Sequence, residues 1–123
     1  MKRSEARVLA IDPGKTCGMA TKNQAWEMSD RDCILFLETM TQRYMFDRVV
    51  IERFNMRQHT TDAEDTIKLI GVLEYIVQKA VVILGWVNPS DKKAVKEFVP
   101  EHLKDHAWDA EAIRLWDLRY GTW

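Results

Sequence analysis

Three carboxylates in this chain stand where a carboxylate is costly. Asp12 closes the apolar run Val8-Leu9-Ala10-Ile11, and Glu52 closes a second run, Val49-Val50-Ile51. Asp109 lies in "DHAWDAEAIRLW", where His106, Asp109, Ala110, Ile113 and Trp116 share one helical face. The apolar members of that face pack inward and carry His106 and Asp109 with them. A buried carboxylate without a partner is strongly disfavoured. If the two acid-terminated strands are parallel neighbours, Asp12 and Glu52 share the sheet edge where α/β proteins bind ligands. A helix packed on that sheet then brings Asp109 alongside. Three converging carboxylates repel unless cations intervene, and hard oxygen ligands select Mg²⁺ or Mn²⁺. Two such ions about 3.5–4 Å apart suit in-line attack on a phosphodiester. Milder readings exist for each acid. Asp12-Pro13-Gly14 is good turn chemistry, and an acid in a helix's first turn is favoured by the dipole. "GKT" (14–16) is not a phosphate-binding P-loop, because Leu9 stands where that loop needs glycine.

The elements that must position these residues follow from the pattern. Strands are predicted over 6–12, 15–21 and 24–28, joined by tight turns at Pro13-Gly14 and Lys22-Asn23. Ser29 or Asp30 can cap a helix running to about Tyr44. A fourth strand covers 47–52. The longest helix is predicted over Asp62–Ala80, and a fifth strand over 81–87. Pro89 opens a short helix through about Val99, which Pro100 ends. Asp105 can cap a last helix that runs to about Tyr120. The order βββαβαβαα gives a five-stranded mixed α/β sheet, three antiparallel strands followed by parallel ones, flanked by helices.

Composition narrows the class. The 123 residues suit one domain spanning 1–123. No apolar run is long enough to span a membrane, and no secretory signal is recognisable. The two cysteines, Cys17 and Cys33, form no CxxC motif and fit a reducing cytoplasm. A net charge of −1 gives no global nucleic-acid signature, so a polyanion site must be a local patch.

"LAIDPGKTCGMA" resembles the first strand and turn of RuvC-type Holliday-junction resolvases, within the RNase H-like superfamily. "VVIERF" resembles their second acidic strand, and "HAWDA" their last catalytic helix. The resemblance spans nearly the whole chain. It implies an RNase H-like fold and a metal-dependent endonuclease that cuts branched DNA, above all four-way (Holliday) junctions. It implies Asp12, Glu52 and Asp109 as ligands of two Mg²⁺ (or Mn²⁺) ions, with Asp12 bridging them. His106 would ligate or relay a proton. "NPSDKKAV" resembles the family's basic segment but is one residue short, so Lys92 or Lys93 could face the phosphate. Lys93 is the one assigned to catalysis. Phe54 follows Glu52 by two residues, whereas the family's junction-contacting aromatic follows by three. The compact length looks more like RuvC-like proteins of bacteriophages, which implies the cytoplasm of a bacterial or phage-infected cell.

Arg53, Phe54, Arg57, Lys92 and Lys93 are therefore the candidate DNA contacts, with His59 read as an ordinary surface residue. Gly71, inside the longest helix, suggests close packing against a strand or another helix. The apolar arc of that helix covers roughly 160° where one sheet contact needs about 100°. The excess predicts a homodimer through the Asp62–Ala80 helix, with Leu69 and Val72 at the margin a partner would cover. Three rivals share parts of the pattern. They are an RNA-processing nuclease of the same fold, a non-catalytic nucleic-acid-binding module, and an actin-like ATPase, whose phosphate loop is matched by Asp12, Gly14, Thr16 and Gly18.

Overall fold

The computed structural model describes residues 2–54 and 61–123. Its elements are β1 (Val8–Asp12), β2 (Thr16–Ala20), β3 (Ala25–Ser29), α1 (Asp30–Gln42), β4 (Arg48–Glu52), α2 (Thr61–Lys79), β5 (Ile83–Val87) and α3 (Asp105–Tyr120). Two 3₁₀ segments complete it, Arg3–Glu5 and Pro89–Phe98. The sheet order is β3-β2-β1-β4-β5. β1, β2 and β3 form an antiparallel meander, while β1, β4 and β5 run parallel. This is the mixed sheet the sequence predicts. No helix among the described residues is long and apolar enough to cross a membrane.

Strand periodicity sorts the side chains onto two faces. Leu9, Ile11, Cys17, Met19, Val49 and Ile51 pack against α1 and α2, into one core with Leu37, Leu73 and Val77. Ala10, Ala20, Val50 and Val87 pack against Ala110 and Ile113 of α3. Asp12 and Glu52 share the parity of Ala10 and Val50, so both stand on the α3 face. The outer side of α3 is covered as well: Ala112 meets Val95 and Val99 from the 3₁₀ segment and its end. That helix therefore lies between the sheet and the 3₁₀ segment, which is what brings both to the acids.

Four local expectations need correcting. Asp105 does not cap α3; Lys104 is the N-cap residue, with no side-chain cap, and Asp105 is the first helical residue, at φ 53°. The short helix after Pro89 is 3₁₀ rather than α, held at its start by Asp91 accepting from the Asn88 N–H at 2.9 Å. Leu69 is a buried member of the main core, so it is not available to a partner; Val72 is exposed. Gly71 has no close packing to explain it, since a Cβ built there meets nothing within 4 Å. The cap expected for α1 is present, with Ser29 Oγ accepting from the Asp32 N–H at 3.1 Å. Both cysteines are buried free thiols.

Candidate active site

The parallel register pairs Ile11 with Ile51, and the next residue on each strand is an acid. Asp12 and Glu52 thus emerge side by side at the carboxyl end of the sheet's two central strands. α3 crosses above them. Its approach depends on Gly18, which pairs with Asp12 on one side and with Glu27 on the other. A Cβ at Gly18 would sit 1.9 Å from the backbone oxygen of His106, so only glycine allows this contact.

His106 is clamped from three directions. Its carbonyl lies over Gly18, its backbone N–H donates to Glu27 Oε2 at 2.9 Å, and its Nδ1 lies 3.0 Å from Asp12 Oδ2. The Glu27 carboxylate satisfies one of the free N–H groups at the start of α3, where a negative charge is also favoured by the dipole. Asp109, three residues on, projects from the same helical face. Asp12, His106 and Asp109 each offer a ligand atom, and these atoms all lie within 4.8 Å of one another. This mixed oxygen and imidazole set fits a small divalent cation. Glu52 stands outside that mutual group and is joined to it through Lys92. The ammonium of Lys92 lies 2.6 Å from Glu52 Oε2 and 3.1 Å from Asp109 Oδ1.

The electrostatics are those of crowded acids. The Asp12 pKa is pushed up to about 6, mainly by burial and then by the neighbouring Glu52, with the His106 hydrogen bond opposing. Glu52 is also raised, mainly by burial, against the pull of Lys92. The hydrogen bond to Asp12 raises His106. Burial disfavours the charge on Lys92, but its bonds to Glu52 and Asp109 together outweigh that and raise its pKa. An acid cluster at neutral pH held by one ammonium and one imidazole is short of positive charge.

The structure separates the two lysines. In a 3₁₀ helix, residues three apart eclipse. Lys92 therefore shares the side of buried Val95 and turns inward, while Lys93 and Lys96 fall together on an exposed side. Lys93 lines an open cleft of about 770 Å³ beside Glu52, Arg53, Phe54 and Asn88. The Arg53 guanidinium lies 5.0 Å from the Trp86 ring centre, and Phe54 is exposed. Arg57 and His59 lie outside the described residues. Sequence reasoning missed Glu27 and the role of Gly18 in seating α3. The signal for Glu27 was present but faint, as the one acid in β3, between Trp26 and Met28, which pack on the opposite face.

A central parallel pair, an antiparallel meander on one side and a helix carrying acids across the strand ends together make a fold also seen in RuvC. Two of the solved structures that share it are of RuvC. T. thermophilus RuvC in complex with a Holliday junction substrate matches with a TM-score of 0.69 at 17% identity, over 91% of this chain and 92% of that one. The Thermus thermophilus RuvC structure matches with a TM-score of 0.63 at 16% identity, over 89% and 92%. No family model matches the sequence, and no curated protein matches it significantly.

Proposed function

We propose that this chain is a divalent-metal-dependent endonuclease that cleaves branched DNA, with four-way junctions as its main substrate. The observation that carries this reading is the convergence of Asp12, His106 and Asp109, with Glu52 joined through Lys92, beside an open cleft that carries Arg53 and Lys93. The likeness to a RuvC solved with a Holliday junction supports the choice of substrate. Asp12, Glu52, His106 and Asp109 would hold Mg²⁺ or Mn²⁺ ions, two per site. Such ions supply a nucleophilic water and neutralise charge developing on the phosphate.

The chain's own groups do the rest. Asp12 holds the His106 ring in one orientation through Nδ1, leaving Nε2 for a ligand or a proton. Glu27 and Gly18 fix the backbone beneath that ring. Lys93 and Arg53 face the cleft as phosphate contacts, and Phe54 offers an apolar surface to a base. Two symmetric cuts need two sites, so the working form is a homodimer related by a two-fold axis.

A panel of labelled duplex, flap, three-way and four-way DNAs and a structured RNA, incubated with Mg²⁺ or Mn²⁺, tests the proposal. Cleavage confined to branched DNA is expected. Cleavage of RNA alone, or binding without cleavage in either metal, would overturn it.

A further inference from the structure

Lys92 holds a position that a phosphate-contacting lysine does not need. Its ammonium sits between Glu52 and Asp109, at 2.6 and 3.1 Å. The 3₁₀ geometry of Pro89–Phe98 places it there, because the residue shares a side with Val95, packed against Ala112 of α3. Glu52 Oε2, the atom it meets most closely, is buried from solvent and has that ion pair but no aligned hydrogen bond. An ammonium and a divalent cation compete for the same oxygens, and repel each other at such range. Asp12, His106 and Asp109 can gather around an ion without Glu52. Glu52 has to give up Lys92 before its Oε2 can serve as a ligand.

We propose that Lys92 is a built-in counter-cation of the acid cluster, which occupies the Glu52 side of the site in the metal-free protein and withdraws as that side is loaded. The inference rests on the metal-site reading above and goes beyond it by making the two halves of the site unequal. One half, around Asp12 and His106, meets Lys92 only through a single oxygen of Asp109. The other, around Glu52, is closed by a lysine. A withdrawn Lys92 is left facing the cleft, where a DNA phosphate can receive it. By linkage, phosphate binding and loading of the Glu52 side then favour each other. The device keeps buried like charges apart in the resting protein and ties full metal loading to the presence of substrate.

The test uses Mn²⁺ alone as the probe, without DNA, and reads binding rather than cleavage. Titration calorimetry and the spin-resonance signal of free Mn²⁺ count ions on the wild type and on Lys92→Gln. The wild type should take one ion well and a second weakly. Lys92→Gln should bind the second on the order of tenfold more tightly, and should melt lower than wild type in EDTA. A second measurement needs no variant. Amine-modifying reagent followed by mass spectrometry should find Lys92 protected in EDTA and several-fold more reactive in saturating Mn²⁺, with Lys93 unchanged. Equal second-ion affinity in both proteins, or a Lys92 reactivity indifferent to Mn²⁺, overturns the inference while the metal-site reading stands. If neither protein binds Mn²⁺, both fall.

Discussion

Asp12 concentrates the conflict of the site in one residue. It is 7% exposed, it lies beside other acids, and its pKa of about 6 exceeds the ordinary 3.8. Between those two values the folded chain binds more protons than the unfolded one. Stability therefore falls as pH rises through that window, and above it the full cost remains. His106 acts in the same sense. Its raised pKa contributes stability that is complete below its ordinary 6.5 and is lost as pH climbs through the folded value. In EDTA the protein should thus melt higher at pH 5 than at pH 7.5. Asp12→Asn should flatten that slope and raise the melting temperature at pH 7.5, by no more than the equivalent of roughly 3 kcal/mol. The same variant should lose cleavage in Mg²⁺ while still binding junctions. Melting curves in EDTA at both pH values check the first claim, and a gel-shift beside a cleavage assay checks the second. If Asp12→Asn proved less stable than wild type at pH 7.5, the His106 bond would outweigh the burial of charge.

At the scale of elements, α3 is held at both ends by residues it does not own. Near its start, Gly18 and Glu27 seat His106. Gly18→Ala should push α3 off β2, lower the melting temperature and cut Mn²⁺ affinity, whereas the same change at open Gly71 should not. Near its end, Asp117 is fully buried against Arg48 of β4, with Nε and Nη2 at 2.9 and 2.7 Å. Trp123 lies over that guanidinium at 4.7 Å, and the space Arg48 fills is the space a Cβ at Gly85 would take. Arg48→Ala should cost roughly 3–5 kcal/mol, because it strands a buried carboxylate. The pair Arg48→Met with Asp117→Leu should recover much of that in urea melts.

These anchors also show where sequence reading stops. The runs ending in Asp12 and Glu52, and the helical spacing from His106 to Trp116, are local signals. They gave the element order and brought His106 and the acids together, because strand parity and helical period are properties of a few consecutive residues. Arg48–Asp117 and Gly18–His106 join positions far apart in the chain, and neither residue of either pair marks the other. The turn of Lys92 inward depended on a 3₁₀ rather than an α period, a difference of a fraction of a residue per turn that composition does not encode.

For the whole molecule, the open question is what meets the outer face of α2. Its inner face is spent on the core through Leu69, Leu73, Ile76 and Val77. Its outer face carries Ile67, Gly71 and Tyr75 four residues apart, with Val72 beside them. Ile67, Val72 and Tyr75 are 41%, 42% and 63% exposed, which is more apolar surface than a solvated helix needs. Gly71 costs the helix about 1 kcal/mol against Ala and nothing in the described chain fills the space above it. A missing side chain on an open face is useful where another backbone comes close. In a two-fold dimer through this face, each residue near the axis meets its own copy or a neighbour. One charge introduced there appears twice and repels itself. Val72→Glu should therefore yield folded monomers, with an unchanged melting temperature at low concentration, because Val72 is not part of the core. Leu69→Glu is the contrasting control: it buries a charge and should unfold the chain at any concentration. Sedimentation equilibrium at micromolar protein separates these outcomes, and a cruciform plasmid carries the consequence to function. A dimer cuts both strands in one encounter and gives linear product directly, whereas the Val72→Glu monomer should accumulate nicked circles first. A wild type that sediments as a monomer, alone and on junction DNA, would sink the dimer and leave a nuclease that makes one nick at a time.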